Sequence, residues 1–280
     1  MRARQLLKLV PTSQYRKTSR RGLTLLELVV VLAILAAVAA ILVPLLPNLL
    51  RRAHKATDAT QTSELAKAVQ LYQAAFFSYP DRLDLLTDGS KFPSYVPTDS
   101  GSPFGGYVKA EALDPEDLAA LHRAGINEVQ PLATDSTPSG FHPTLHPYDD
   151  TKGTLDVSGT GTTGTKFAVL DTTKITNHLL ESERESDPTA KFVVFGVGPK
   201  CTLVGQGIQD APTSVPQNKD MTPDSTYCRV GVVFKVAGKE VARTERARFV
   251  AAVALEDDEL EATEKDIIGY YEVSRDQRQP

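Results

Sequence analysis

The chain has 280 residues, in which 31 Lys and Arg stand against 35 Asp and Glu, so its formal net charge is −4. The first 22 residues hold seven basic residues and no acid. From Leu23 onward the formal charge is therefore −11, the −4 of the whole chain less those seven positive charges. An acidic body of this kind argues against nucleic acid as a partner. About 230 residues remain beyond the N-terminal segments, enough for a sizeable core, most simply in one globular domain.

An uncharged, apolar segment runs from Leu28 to Leu50. As a helix, its 23 residues would span roughly 34 Å, which is enough to cross a hydrocarbon layer of about 30 Å. Basic residues are more frequent before this segment than after it, and this bias puts the N-terminus in the cytoplasm. They are Arg2, Arg4, Lys8, Arg16, Lys17, Arg20 and Arg21 before it, and Arg51, Arg52 and Lys55 after it. The pattern predicts a single membrane span.

One acidic residue, Glu27, lies at the start of this apolar segment. A charged side chain in a membrane helix costs on the order of 2.5 to 3.5 kcal/mol, so such residues usually have a partner. Cleavage after Gly22 would give Leu23 a cationic α-amine one helical turn from Glu27. Between chains, the Glu27 of one subunit could receive the amine of a neighbour and fix the register of the two subunits. The pattern therefore indicates an assembly device.

The run from Arg20 to Leu28, RRGLTLLEL, resembles the class III leader of type IV pilins and type II secretion pseudopilins. The shared features are a basic leader ending in Gly, an apolar residue, Thr, two Leu and Glu. The resemblance implies that prepilin peptidase cuts after Gly22, that Leu23 becomes the N-methylated first residue, and that Thr24 and Glu27 serve filament assembly. The family more often has Phe or Met where this chain has Leu23, and the leader is long.

Two other interpretations of the segment stay open. Ala37-Val38-Ala39 offers the small-residue cut of a conventional signal peptide, although Glu27 would lie inside its apolar region and the run continues to Leu50. A plain single-pass anchor fits the length and the flanking charges equally well. Only Gly22 together with Glu27 separates the pilin-type interpretation from the anchor.

The helical pattern continues to about residue 77 and becomes amphipathic. The apolar stripe is Leu65, Val69, Tyr72 and Phe76, and the polar face is Glu64, Lys67, Gln70 and Gln73. We expect the stripe to pack on the globular domain, with a seam for a partner helix as the alternative. Pro44 and Pro47 remove backbone donors, so a kink or local melting of the helix is expected there. Pro44 also falls where the helices of the pilin family commonly have a proline.

The helix is expected to end at Tyr79-Pro80, which Leu83, Leu85 and Leu86 follow. This stretch is similar to the one in which the helix of type II secretion major pseudopilins ends, before a short Leu-rich turn. The second resemblance favours a secretion pseudopilus over a pilus fibre. The predicted parts are a prepilin leader (1–22), a transmembrane and assembly half of the helix (23–50), its amphipathic half (51–79) and a globular domain (80–280).

Within the globular domain, Asp114 as N-cap, Pro115 at the first helical position and Gly125 beyond the end predict a helix over 115–124. Residues 131–165 are rich in Thr, Gly, Ser, Pro and Asp and predict a flexible loop. A short helix is possible over 175–180. Strands are predicted over 166–170, 191–197, 229–236, 248–255 and 267–273. A long helix followed by a mostly antiparallel sheet is an α+β fold, which agrees with the pilin-like fold that the resemblance implies.

The two cysteines, Cys201 and Cys228, lie in the part predicted to be outside the cytoplasm, where disulfides persist. A bridge between them is the first expectation, and two buried thiols are the alternative. A metal pair lacks nearby Cys or His ligands.

Other possible sites carry weaker signals. The glycine string from Gly159 to Gly164 precedes a strand-like run instead of the helix that phosphate binding needs. His142 and His146 are spaced for a metal, but Pro143 and Pro147 disfavour the helix that would put both on one face. Calcium is possible, since major pseudopilins often bind it. The late acidic residues are Asp257, Asp258, Glu259 and Glu261, which lack an EF-hand-like spacing.

A Gly-x-Ser-x-Gly elbow, a Walker A string and a His-Glu-x-x-His motif are missing from the sequence, so nothing in it favours an enzyme. By resemblance, the function is that of a structural subunit in an inner-membrane filament, with its C-terminal domain in the periplasm. The implied partners are prepilin peptidase, further copies of the subunit, a cytoplasmic ATPase, a platform protein and an outer-membrane secretin. A type IV pilus subunit or minor pilin is the nearest alternative, and a membrane-anchored binding or enzymatic domain is the rival from another class.

Overall fold

The computed structural model describes residues 24–43, 46–99, 102–134, 139–158, 164–171, 187–214 and 222–255. Its chain separates into two units, residues 1–49 and 50–280. The predicted α+β class is confirmed, with an apolar N-terminal helix followed in the chain by a mostly antiparallel sheet.

The first unit contains helix α1, Leu25–Leu42, in which every residue except Glu27 is uncharged. None of its 18 residues is buried, and its mean hydropathy is 3.0. In the described part of the chain it is the one helix long and apolar enough to cross a membrane. The geometry agrees with the single predicted span.

Helix α2 runs over Leu46–Phe76, so the predicted long helix is present as two segments. Pro44 lies between them and outside the described residues. Pro47 is the second residue of α2, where its missing N–H removes no intrahelical hydrogen bond. In the second unit, Leu65 and Val69 of the predicted stripe are buried and the predicted polar face is exposed.

The end of α2 differs from the prediction. Phe76, which we placed on the packing stripe, is 54% exposed, and the following Phe77 is 81% exposed with a positive φ of 57°. The chain then turns inward, because Tyr79 is buried with its ring edge-on to Phe234, 5.1 Å between centroids. The Leu-rich turn after Pro80 is buried as well, at Leu83, Leu85 and Leu86.

Eight described strands form one sheet, and two more form a separate hairpin. The sheet strands are β1 (Leu83–Asp84), β4 (Val108–Ala112), β5 (Glu128–Gln130), β6 (Leu155–Asp156), β7 (Lys166–Leu170), β8 (Lys191–Gly196), β9 (Val230–Ala237) and β10 (Arg248–Ala254). The hairpin strands are β2 (Thr98–Asp99) and β3 (Ser102–Pro103). The strands predicted over 166–170, 191–197, 229–236 and 248–255 are confirmed. The strand predicted over 267–273 and the helix over 175–180 lie outside the described residues.

Strand β8 is the centre of the sheet. One edge pairs along its length with β9, and β9 pairs in turn with β10. The other edge is shared, since Val193 and Val194 pair with β7 and Gly196 pairs with Asp84 of β1. Strands β1 and β5 are parallel, and the remaining pairs in the described sheet are antiparallel. Because all side chains of β8 after Lys191 are buried, the strand has core on both of its faces.

Helix α3, Pro115–Arg123, confirms the predicted helix. Asp114 is its N-cap residue, but its carboxylate makes no cap hydrogen bond and instead accepts from Lys191 Nζ at 3.1 Å. Gly125 has a φ of +101°, and a Cβ there would collide with Ser78, so glycine is required at this helix end. Helix α4 follows β9 at Lys239–Thr244.

The loop predicted over 131–165 contains β6 and anchored segments in its described parts. Leu132 and Tyr148 belong to one core cluster and Val157 to the other. The Thr144 hydroxyl is buried and donates to the carbonyl of Thr226 at 2.7 Å. These contacts join residues 139–158 to the rest of the domain.

A buried ion pair joins β9 to the segment before β8. Lys235 Nζ lies 3.2 Å from Asp187 Oδ2, and the two side chains are 1% and 4% exposed. The hydroxyl of Thr189, together with the Lys239 N–H and Lys235, lowers the pKa of Asp187 to about 2. The carboxylate is therefore ionised, and it needs its partners to remain buried.

We predict that Lys235→Met destabilises the protein by about 3 to 5 kcal/mol, because Asp187 would stay buried without its cation. The measurement is urea unfolding of the full-length protein in detergent. Arg82→Met is the matched control, since the pair Arg82–Glu128 is 54% and 37% exposed and should contribute at most about 1 kcal/mol. Equal losses in the two variants would contradict the prediction.

Candidate functional site

The first turn of α1 is closed by a reciprocal capping box between Thr24 and Glu27. The Glu27 N–H donates to Thr24 Oγ1 at 3.2 Å. In return, Glu27 Oε2 accepts from the Thr24 N–H at 2.8 Å and from its hydroxyl at 3.0 Å. Both residues are therefore held in place at the helix start.

The capping box gives Thr24 a structural role at the helix start that the sequence analysis did not assign to it. We placed Thr24 in assembly by resemblance, although the spacing T-x-x-E before an apolar run already predicts a cap. Within one chain, Glu27 has local hydrogen-bond donors but no cation among them. Gly22 and Leu23, the predicted processing residues, and Pro44 lie outside the described residues.

The rest of α1 offers only apolar surface. Its described side chains are exposed along the whole helix, from Leu25 at 80% to Leu42 at 53%. A surface of this kind and length is stable in lipid or against other apolar helices, and not in water. The arrangement can therefore insert into a membrane and pack with like helices, and the one carboxylate is at its beginning.

The family model of the prokaryotic N-terminal methylation motif matches residues 17–43. The match begins in the basic leader, includes Gly22 and the capping box, and ends one residue after α1. No curated protein and no solved structure matches the chain.

The motif and the apolar N-terminal helix that follows it support a type IV pilin-like protein, and the α+β class of the chain is consistent with this. The motif is a class III signal peptide, the substrate of prepilin peptidase, and it belongs to proteins that assemble into filaments. Among the described residues one helix is long and apolar enough to span a membrane, and together with the motif it indicates a single-pass, membrane-anchored protein.

The two histidines of the predicted loop do not form a common site. His142 and His146 pair across a tight turn, but their Nε2 atoms contact different carboxylates, Asp224 at 2.9 Å and Asp150 at 3.0 Å. Among the described residues there is no group of three His, Cys, Asp or Glu that could hold a metal ion. The acidic residues considered for calcium and most of the glycine string lie outside the described residues.

Cys201 and Cys228 are both buried, and the structure has each as a thiol instead of as half of a disulfide. The Val197 N–H donates to the Val230 carbonyl at 2.9 Å, and the two cysteines beyond these residues have different neighbours. The Cys228 N–H donates to Thr144 Oγ1, whereas the chain next to Cys201 bonds to Asp81. The arrangement corresponds to the alternative of two buried thiols, and the bridge stays a prediction that the redox state of the isolated protein would test. Burial raises the pKa of Cys201 to about 12.

A buried carboxylate that the sequence did not reveal lies at the junction of β1 and β8. Asp84 is fully buried and accepts from the Tyr148 hydroxyl at 2.8 Å and from the Tyr227 hydroxyl at 2.6 Å. A Cβ on Gly198 would collide with both Asp84 and Tyr148, so glycine gives the carboxylate its space.

Burial raises the pKa of Asp84 to about 6, although the two tyrosines and the more distant charges of Arg229 and Lys200 act against this shift. Burial and the nearby Asp84 also raise the pKa values of Tyr148 and Tyr227, so both hydroxyls remain donors. The network ties loop residues 139–158 to the sheet through Tyr148. It is a structural network, since it is closed off from solvent.

We predict that stability falls as the pH rises through about 6, because the folded pKa of Asp84 lies above the ordinary value of 3.8 for an aspartate. The folded state holds this proton more tightly than the unfolded chain. Raising the pH from 5 to 7 should therefore reduce the stability of the wild type by on the order of 1 kcal/mol more than that of Asp84→Asn, which cannot titrate. Urea unfolding of both proteins at the two pH values measures this difference, and equal pH slopes would contradict it.

Proposed function

We propose that the protein is a structural subunit of a type II secretion pseudopilus. Prepilin peptidase removes residues 1–22 at the inner membrane, and the processed chain assembles into a filament with its globular domain in the periplasm. Its work is mechanical, and the subunit itself catalyses no reaction. The proposed machinery is a cytoplasmic ATPase and a polytopic platform protein, which drive subunits out of the membrane and push substrate through an outer-membrane secretin.

The observation that carries the proposal is the capping box at the start of an otherwise uncharged helix. Thr24 holds the Glu27 carboxylate at the helix start, five residues after Gly22. A cut after Gly22 would leave the new α-amine one residue before Thr24, and so within reach of such a carboxylate. A fixed anion and a new cation at the same depth of the membrane give neighbouring subunits a complementary contact.

The buried segment that follows α2 supports a pseudopilus in preference to a pilus fibre. Tyr79 and the Leu-rich turn after Pro80 resemble the corresponding stretch of major pseudopilins, and here they form part of the core. A type IV pilus subunit shares every step up to Glu27. Deleting the gene in the native cells separates the two, since loss of protein secretion supports the pseudopilus and loss of surface pili supports the pilus.

We predict that Gly22→Ala blocks processing, because glycine before the cut belongs to the class III signal peptide. Peptide mass spectrometry of membrane protein from native cells should find N-methylated Leu23 in the wild type and an intact leader in the variant. Gly89→Ala is the control for a glycine exchange. A Cβ at this position would meet no atom within 4 Å, although the φ of +97° strains an alanine. This variant should be processed normally. An intact leader in the mature wild type would overturn the proposal.

We predict that Glu27→Gln leaves membrane insertion and processing intact but abolishes filament assembly. Glutamine keeps the capping box, since its amide oxygen can accept from Thr24, whereas the charge that pairs with a neighbour's amine is lost. The measurement is the fraction of the protein found in filaments that are sheared from cells and sedimented. Cleavage of the leader is measured in the same cells by peptide mass spectrometry.

Thr24→Val is the matched control for this experiment. It removes the cap at a cost of about 1 kcal/mol but keeps the carboxylate, so filaments should still form. Normal assembly of Glu27→Gln would contradict the predicted charge pairing. Loss of assembly in Thr24→Val alone would make the cap, and not the charge, the essential feature.

A further inference from the structure

Strand β10 is the last strand at one end of the described sheet. Its sequence, RFVAAVA, has no charge after Arg248, and Leu255 continues the apolar run. All seven of its side chains are buried or half-buried. Phe249 belongs to one core cluster and Val253 to the other, so the strand has core on both of its faces. This character is typical of a strand in the interior of a sheet.

The other two edge strands among the described residues differ from β10. Strand β6 has only two residues, and the second, Asp156, is exposed. Strand β4 exposes Lys109 and Glu111. Short strands and charged side chains are the usual means by which proteins keep an open sheet edge from pairing with other chains. Strand β10 has neither, although β9 is the one described strand that pairs with it. Its edge away from β9 therefore needs a covering segment.

The chain continues for 25 residues after Leu255, all of them outside the described part of the structure. Within them, residues 267–273 have the sequence IIGYYEV, whose branched and aromatic residues predicted a strand in the sequence analysis. The connection over 256–266 contains seven acids and one lysine, a composition suited to water. A strand-forming segment thus follows β10 after one strongly charged connection.

The connection is long enough to bring residues 267–273 to the edge of β10. Its 11 residues reach up to about 36 Å, whereas a strand of seven residues is roughly 24 Å long. An antiparallel partner begins beside the end of β10. A parallel partner would begin beside its start, and such crossovers need a dozen or more residues. The length of the connection therefore favours the antiparallel direction.

We propose that residues 267–273 pair antiparallel with the edge of β10 away from β9, in the same chain, and extend the sheet by one strand. The same chain is the occupant because a short connection gives the segment a millimolar effective concentration at this edge. The added strand also carries Glu272, so the new edge of the sheet would have a charge that β10 lacks. The inference concerns the domain of a single subunit and is independent of the proposed function.

The first test is hydrogen exchange over β10 in the full-length protein in detergent. Neighbouring amides of a strand point to opposite edges, so two successive prolines remove one inter-strand hydrogen bond whatever the register. The variant is Tyr270→Pro/Tyr271→Pro, and Ala262→Pro/Thr263→Pro in the acidic connection is the matched control. We expect the β10 amides that face away from β9 to exchange at least about tenfold faster in the variant than in the wild type or the control.

Two results of this measurement would overturn the inference. Fast exchange of these amides in the wild type would show that the edge is open. Slow exchange that stays the same in Tyr270→Pro/Tyr271→Pro would show that another segment covers it. The β10 amides that pair with β9 are the internal reference, because faster exchange there would mean that the variant is unfolded.

Cysteine pairs test the same contact without prolines and identify the chain that supplies the strand. Ala252→Cys on β10 is combined in turn with a single cysteine at each position from 267 to 273. Opposite residues of paired strands have Cβ atoms about 4.5 to 5.5 Å apart, close to the reach of a disulfide. Cys201 and Cys228 are buried and stay in place.

We expect at least one of these pairs to form a disulfide in a protein of monomer mass on mild oxidation. The same partners combined with Glu111→Cys on β4 should form none. A disulfide-linked dimer would overturn the inference, because the strand would then come from a second copy. Failure of all seven pairs would overturn it as well. None of these results bears on processing or filament assembly, so the pseudopilin proposal stands or falls separately.

Discussion

The apolar surface of α1 has to be removed from water, and this requirement determines which surroundings the protein needs. An 18-residue helix without a buried side chain finds its stable environment in lipid or among other helices. The second unit, by contrast, closes its own core on both faces of β8. The chain thus combines a self-sufficient domain with a segment whose surroundings must come from outside the molecule. Transfer from lipid to a bundle of like helices exchanges one apolar environment for another, so a subunit can leave the bilayer without exposing α1 to water.

Much of the fold could be predicted because its strongest patterns are local. The runs that became β7 to β10 are long and rich in branched apolar residues, and α3 begins with Asp114 and Pro115 and ends before Gly125. The N-terminal segment could be predicted equally well, because its unusual feature, one charge in an apolar run, is also local. In each case a few neighbouring residues carry the information.

The features that sequence reasoning missed depend on contacts between distant residues. Asp84 is 64 residues from Tyr148 and 143 from Tyr227, so nothing near it in the sequence indicates a buried carboxylate. Strands β1 and β6 have two residues each, too few to show a period. Phe76 continues the 3.6-residue pattern of α2, but the helix ends at this residue. The chain then turns toward the core, and the Phe76 side chain stays exposed. The pattern alone could not show which apolar residue would be left outside.

The burial of Cys201 has a consequence for the reactivity of its thiol. Thiol–disulfide exchange needs an accessible thiolate, and Cys201 is both buried and, with a pKa of about 12, protonated. In the folded domain we therefore expect Cys201 to react slowly with oxidants and thiol reagents, because little of it is present as thiolate at neutral pH.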